Sequence, residues 1–330
     1  MVDKLTPKDP RVQYKTTNLN GKTYSYILSE PSSPPLNTIV LVHGFPDIAF
    51  GWRNQIPFLT SLGLRVIALD MMGYGGTDAP ESPSFYTMKR ASDDIATLAK
   101  SLNLSSIILG GHDWGGVVVY RVALYYPKLI SAFFSICTPF NAPRASYLPA
   151  SVLPNFKYQI QFAGQDLERE IAGEEKIGQF LNGMYGGRGP NGEPPFDVTH
   201  GFYIERASIL KPTKLLSKEE LDFYAEQYAI HGLHGPTNWY RTGELNFEDE
   251  KELAATFEKG YKFEMPVLFV CASNDGALPP SLSQGMEKHF RSLTRGEVEA
   301  SHWALWEKPG EINRYIGEWL VGQIASKHHL

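Results

Sequence analysis

The stretch Ser105-Ser-Ile-Ile-Leu-Gly-Gly-His-Asp-Trp-Gly-Gly-Val-Val-Val-Tyr120 decides how the rest of the chain reads. An apolar run, Ile107-Ile108-Leu109, meets Gly110, Gly111, His112, Asp113, Trp114, Gly115 and Gly116, and a second apolar segment runs from Val117 to Leu124. The pattern predicts a strand, a tight turn and a helix. Small residues two places on either side of Asp113 let the backbone bend sharply enough to lift one side chain above the sheet edge, at the start of a helix. The lifted group is a carboxylate.

A turn of this shape is the nucleophile elbow, which carries serine at its apex in many enzymes. With Asp113 there, the chemistry changes. A carboxylate with a reference pKa near ~3.9 is ionised at neutral pH and attacks without help from a base. Attack on a saturated carbon gives an ester whose carbonyl an activated water can hydrolyse, whereas a serine would leave an inert ether. The turn therefore points to displacement at a saturated carbon followed by ester hydrolysis. The plain alternative is an Asp that caps the following helix.

Outward from the elbow, strand and helix patterns alternate. Toward the N-terminus, Val12 to Leu28 with Asn20-Gly21 reads as a hairpin, and Thr38 to Val42 as a strand buried on both faces. Trp52 to Leu62 has helical spacing, Arg65 to Asp70 is a buried strand, and Ser92 to Leu102 reads as a helix with an acidic first turn. The glycines of Met72 to Asp78 lack the Gly-Lys-Ser/Thr ending of a phosphate loop. Beyond the elbow, Ala132 to Cys137 is a further strand. From Phe140 to about Gly260 the β-branched runs stop and helical segments and loops take over. Strand patterns resume from Met265 with Pro266 to Ala272, followed by a helix from about Pro280 to Phe290, a short strand at Gly296 to Glu299 and a C-terminal helix from Pro309 to about Ile324. This gives an α/β fold with a mostly parallel sheet: core over residues 1–138 and 261–330, and a helical cap over 139–260. Asp113, Asp275 and His302 each follow an apolar run, in the order nucleophile, acid, histidine.

Net charge is −5 over 330 residues with no basic stripe, which argues against nucleic acid and for small, neutral ligands. Cys137 and Cys271 both sit in apolar runs and read as buried thiols of a reducing compartment. No stretch suits a signal peptide or a membrane span, and Lys327-His-His-Leu330 matches no targeting tripeptide, so a cytoplasmic protein is expected. His231 and His234 lack a third metal ligand at a recognisable spacing.

Four core motifs carry a resemblance: His43-Gly44-Phe45-Pro46, Gly111-His112-Asp113-Trp114-Gly115, Asn274-Asp275 and Ser301-His302-Trp303. Two more lie in the insertion, Phe156-Lys-Tyr158-Gln-Ile-Gln-Phe162 and Asn238-Trp-Tyr240-Arg241. Over nearly its whole length the chain resembles the soluble and fungal epoxide hydrolases of the α/β-hydrolase fold. The resemblance implies Asp113 as nucleophile, His302 as base, Asp275 as the acid orienting it, and Tyr158 and Tyr240 as acids in the cap. It implies an oxyanion hole from the backbone of Phe45 and Trp114, a cis Phe45–Pro46 peptide, and Phe162, Trp114 and Phe45 against the substrate. No cofactor or metal is implied. The partners are a small, mostly apolar epoxide and water, and the protein is a monomer or homodimer, with detoxification among the roles such chemistry serves.

Physical chemistry supports the tyrosines separately. Ring opening develops an alkoxide, and a phenol with reference pKa near ~10 is a neutral donor more acidic than the alcohol it makes. A halide needs no such proton, so Tyr158 and Tyr240 weigh against the related haloalkane dehalogenases, whereas Trp114 does not discriminate. The intact Asp113, Asp275 and His302 weigh against a non-catalytic ligand receptor of the same fold. Asp47 reads as a turn residue, His43 as a hydrogen-bonding prop of its turn, and His112 as structural. Trp52, Met184, Phe196 and Leu305 are candidates for the pocket or core lining.

Overall fold

Two antiparallel strands, β1 (Gln13–Leu19) and β2 (Lys22–Ser29), open the computed structural model, which describes residues 2–327, with side chains as far as residue 322. Their turn takes positive φ at Asn20 (49°) and Gly21 (80°), the geometry a two-residue hairpin demands. The buried apolar runs then become β3 (Asn37–Val42), β4 (Leu64–Leu69), β5 (Ile107–His112), β6 (Ile130–Ile136) and, after a long excursion, a strand at Val267–Ala272. In one eight-stranded sheet the order is β1-β2-β4-β3-β5-β6, then Val267–Ala272, then an edge strand Leu293–Val298. All pairings are parallel except β1 with β2 and β2 with β4. β5 lies near the middle, so its carboxyl end opens where flanking strands can bring partners.

Helices α1 (Ile56–Ser61), α2 (Met88–Ser101) and α3 (Trp114–Tyr125) follow β3, β4 and β5. The excursion between β6 and Val267 is helical, as the loss of β-branched runs suggests. It holds α4 (Tyr158–Ala163), α5 (Asp166–Glu170), α6 (Glu174–Met184), the two-residue strands β7 (Phe196–Asp197) and β8 (Gly201–Phe202), α7 (Lys218–Ala229), α8 (His234–Asn238), α9 (Gly243–Asp249) and α10 (Lys251–Glu258). The remaining elements are β9 (Val267–Ala272), β10 (Leu293–Val298), α11 (Ala304–Glu307) and α12 (Pro309–Lys327).

Rings and buried ion pairs bind the excursion to the sheet. Phe45 meets Phe162 and Tyr240 at 5.2 Å each, and Tyr185 meets Trp303 and Trp306 at 4.9 and 5.0 Å. Arg53 pairs with Glu220 at 3.0 Å, and Arg121 holds Glu250 through two bonds of 2.7 and 3.0 Å. Removing one member of such a buried pair costs about 3–5 kcal/mol, because the other charge is left stranded.

Several boundaries differ from expectation. Instead of one helix over Trp52 to Leu62 there is a 3-10 turn, Ala49–Trp52, then a break, and α1 starts where Pro57 lies in its first turn and needs no N–H acceptor. α2 begins at Met88, capped by Thr87, whose hydroxyl accepts the Arg90 N–H. Asp93 and Asp94 thus lie inside the helix, not in its first turn, and pair with Lys89 and Arg90 one turn back. The helix expected at Pro280 to Phe290 is two 3-10 turns, Pro280–Ser283 and Met286–His289, interrupted by Gly285 at φ 77°. Among the described residues no helix is long and apolar enough to cross a membrane. Cys137 and Cys271 are buried and free. Of the C-terminal Lys327-His-His-Leu330, residues 328–330 lie outside the described residues.

Candidate active site

β5 delivers Asp113 to the carboxyl edge of the sheet and α3 leaves immediately after it. Its backbone sits at φ 53°, ψ −123°, which costs a non-glycine residue about 1–3 kcal/mol and must be held by its surroundings. Thr138 Oγ1 donates to the Asp113 carbonyl at 2.7 Å, and the Gly116 N–H donates to it at 2.9 Å. The sharp bend needs small flanks: a Cβ on Gly115 would lie 1.9 Å from the Val42 carbonyl oxygen.

The Phe45 N–H donates to Asp113 Oδ1 at 2.7 Å, and the Phe45–Pro46 peptide is cis. Among the described residues Trp114 donates no backbone bond to that carboxylate. His43 props this loop, its Nδ1–H on the Gly44 carbonyl at 2.8 Å and its Nε2 accepting the Met71 N–H at 3.0 Å. Burial pushes His43 down to about 4, so it stays neutral.

His302, in the loop after β10, places Nε2 3.5 Å from Asp113 Oδ2 and Nδ1 2.7 Å from Asp275 Oδ2. Asp275, in the loop after β9, turns its other oxygen to the N–H groups of Ala277 and Leu278 at 2.9 Å each. Burial works to raise both carboxyls. For Asp113 the His302 hydrogen bond and charge outweigh it, and for Asp275 the His302 charge, so both stay below the ordinary carboxylate value. Burial works to lower His302, and the two carboxylates overcome that and hold it well above an ordinary imidazole. His112 Nε2–H donates to the His302 carbonyl at 2.8 Å, and burial pushes that ring down to about 4. It serves as backbone support, as its position predicts.

A cavity of about 920 Å³ opens over this group, lined by Asp113, Asp275, His302 and Phe45 from the sheet side and by Tyr158, Phe162 and Tyr240 from the excursion. Several other buried phenols are tied off: Tyr24 on Asp94 at 2.7 Å, Tyr185 on the Pro46 carbonyl at 2.5 Å, Tyr224 on Asp47 at 2.7 Å. Tyr158 and Tyr240 differ. Among the described residues their hydroxyls donate to no carboxylate or carbonyl, and both side chains line the cavity. Burial, with the Asp113 charge adding to it, pushes both phenols up, so they are protonated donors at neutral pH.

Residues 37–309 match the family model described as alpha/beta hydrolase fold. The chain belongs to that family. The hydrolase is 42% identical to epoxide hydrolase srdG of Neurospora crassa, over 96% of this chain and 98% of that one. It is 34% identical to bifunctional epoxide hydrolase 2 of Sus scrofa, over 86% of this chain and 51% of that protein, so it spans about half of that relative's length. The crystal structure of epoxide hydrolase A from Mycobacterium thermoresistibile superimposes with a TM-score of 0.75 at 26% identity, covering 94% of this chain and 98% of that one.

In this hydrolase the Trp114 indole stands edge-on to the Tyr240 ring at 5.3 Å, beside the cavity wall that Phe45 and Phe162 line. Met184 and Phe196 do line the cavity, whereas Trp52 and Leu305 are core residues. Asp47 caps the Ile48 N–H at 2.8 Å as a turn residue would, and also accepts the Tyr224 hydroxyl. His234 bonds Glu168 at 3.0 Å, on the surface of the excursion. The wall also carries Arg188, Lys211, Thr213 and Lys214, which stand in loops without periodicity and left no signal in the sequence.

Proposed function

We propose that the protein is an epoxide hydrolase that works through an ester on Asp113. One observation carries this reading: two protonated phenols without protein acceptors line the same cavity as an ionised carboxylate seated at a strand-to-helix elbow. Asp113 attacks one ring carbon, the C–O bond breaks, and Tyr158 and Tyr240 supply hydrogen bonds and a proton to the alkoxide. General acid help of this kind contributes roughly 10²–10⁴-fold.

The charges favour the second half. Before attack, Asp113 helps to hold the His302 proton; once esterified it is neutral, and one of the two charges raising His302 disappears. His302 then gives up its proton more readily, and that proton restores the phenol that ring opening deprotonated; the neutral ring takes a proton from water as that water attacks the ester carbonyl. Asp275 keeps the ring in one orientation by holding Nδ1. The oxyanion that forms meets the Phe45 N–H, with Trp114 the second backbone donor by family resemblance. Such a donor contributes about 3 kcal/mol where it has been removed in other enzymes. A diol leaves, and Asp113 and His302 return to their starting charges.

Residues 139–260 act in this reading as a cap that supplies the phenols. A cytoplasmic location belongs to the same proposal and agrees with two unpaired buried thiols. The test is diol formation from a neutral styrene-oxide-like substrate by wild type and by Tyr158→Phe/Tyr240→Phe. Each single change should lower kcat by roughly 10²-fold, and the double change should abolish ring opening with the circular dichroism spectrum intact. Epoxide turnover retained in the double variant would refute the assignment of the phenols.

A further inference from the structure

The Phe45 N–H that meets Asp113 Oδ1 belongs to a peptide plane gripped from its other side. The Gly44 carbonyl points opposite to that N–H across the planar peptide, and it accepts His43 Nδ1–H at 2.8 Å and the Asp47 N–H at 3.1 Å. The place of Asp47 therefore helps to set where the Phe45 N–H points. Three phenols from the excursion hold Pro46 and Asp47 in turn.

Tyr185, directly after α6, donates to the Pro46 carbonyl at 2.5 Å. Tyr224 and Tyr228, one turn apart on α7, donate to Asp47 Oδ1 at 2.7 Å and to the Asp47 carbonyl at 3.2 Å. All three are buried, and burial raises each well above an ordinary phenol, so they stay protonated donors at neutral pH. The rings also brace the far side of the site: Tyr185 lies 5.4 Å from Tyr224 and 4.9 Å from Trp303, the residue after His302. Their hydroxyls are turned to this loop and away from the reacting atoms.

We infer that Tyr185, Tyr224 and Tyr228 are positioning residues for the second half-reaction: through Pro46 and Asp47 they hold the Phe45 N–H at the oxygen where charge collects as the ester is hydrolysed. This rests on the epoxide hydrolase reading above. The two halves call on that N–H differently. When Asp113 Oδ2 attacks the ring carbon, the carboxylate loses its charge, and the bond from Phe45 to Oδ1 weakens toward the transition state. When water adds to the ester carbonyl, the C=O electron pair moves onto Oδ1 and the same bond strengthens. A well-set donor therefore accelerates hydrolysis and leaves ring opening nearly unchanged. The excursion thus serves both halves, with Tyr158 and Tyr240 for opening and the three phenols behind the loop for hydrolysis.

Rapid-quench single turnovers of the full-length protein with a styrene-oxide-like substrate, followed by mass analysis of the Asp113 peptide, give the rate constants for ester formation and ester loss separately. Tyr185→Phe/Tyr228→Phe frees both backbone carbonyls and leaves the Asp47 carboxyl with its partners. In that variant ester loss should slow about tenfold or more while ester formation changes less than about twofold, so that ester accumulates. Tyr24→Phe removes another buried phenol bond, to Asp94, and should leave the ratio of the two constants at its wild-type value. Hydrogen exchange of the peptide carrying residues 43–48 should quicken about tenfold in the double variant. Where the double variant does not fold, either single change should show the same split at smaller size. Two constants that fall together, or a ratio that does not move, overturns the inference. Absence of ester from wild-type Asp113 with any epoxide would instead sink the epoxide hydrolase reading, and unchanged exchange of residues 43–48 in the double variant would then overturn the inference by itself.

Discussion

Gly44 decides whether the nucleophile has room. A Cβ added there would lie 2.2 Å from Asp113 Oδ1, closer than any real contact allows, and the next residue supplies the N–H that bonds the same oxygen. Gly44→Ala is expected to push the carboxylate out of position and lower kcat by roughly 10²-fold or more, with the cavity otherwise intact. Steady-state kinetics beside a thermal melt separates this from simple unfolding. At His302 the sign of a pH effect follows from which charges surround it. Asp275 and Asp113 stabilise the imidazolium and raise its pKa; the ester intermediate lacks the Asp113 charge but keeps that of Asp275. The ascending limb of kcat against pH therefore reports His302 losing its proton in the ester state. Asp275→Asn removes the remaining negative partner, so that limb should move to lower pH while kcat itself falls by roughly 10³–10⁴-fold as the ring loses its orientation. A limb that stays in place would detach Asp275 from His302.

At the scale of elements, the loop after β3 and the helix α7 are joined through a buried acid. Asp47 accepts the Ile48 N–H and the Tyr224 hydroxyl through Oδ1, and among the described residues its Oδ2 has no partner. Burial pushes this carboxyl up to about 7 from 3.8. The folded form thus binds a proton that the unfolded form has lost, and stability is fully present below about pH 4 and declines as pH rises to about 7. Three units correspond to about 4 kcal/mol as an upper order of magnitude. Asp47→Asn, which holds no proton to lose, should flatten the fall in Tm between about pH 5 and pH 8 by differential scanning calorimetry. An unchanged slope would mean that Asp47 is not the group being titrated. Elements also differed in how far they could be read in advance. β3, β5 and β9 are buried on both faces, so their apolar runs are continuous and bounded by glycine or polar residues. β10 is an edge strand whose alternation is blurred by Thr294, Arg295 and Glu297, and only its last residues were legible. The segment around Pro280 has helical composition, but Pro279, Pro280 and Gly285 break it into 3-10 turns, a local backbone effect that apolar spacing does not register.

Across the whole molecule, residues far apart in the chain converge because the sheet sends the carboxyl ends of its parallel strands to one edge. The elbow could be read from its glycines, Asp275 and His302 from their places after apolar runs, and the phenols from local motifs in the excursion. The contact of Trp114 with Tyr240 was not legible, because the sequence specifies that α3 begins there, not which way the indole turns. Arg188 and Lys214 were illegible for a related reason. Cations in loops share a cavity wall only once the excursion has folded over the sheet. A carboxylate at the elbow opening the ring and then being regenerated by water is the central claim, and it leaves an isotopic trace. A single turnover of a styrene-oxide-like substrate by excess enzyme in water labelled with heavy oxygen, followed by mass analysis of the peptide containing Asp113, measures it directly. Label in the Asp113 carboxylate and unlabelled diol is the expected result; labelled diol with an unlabelled Asp113 would contradict the ester.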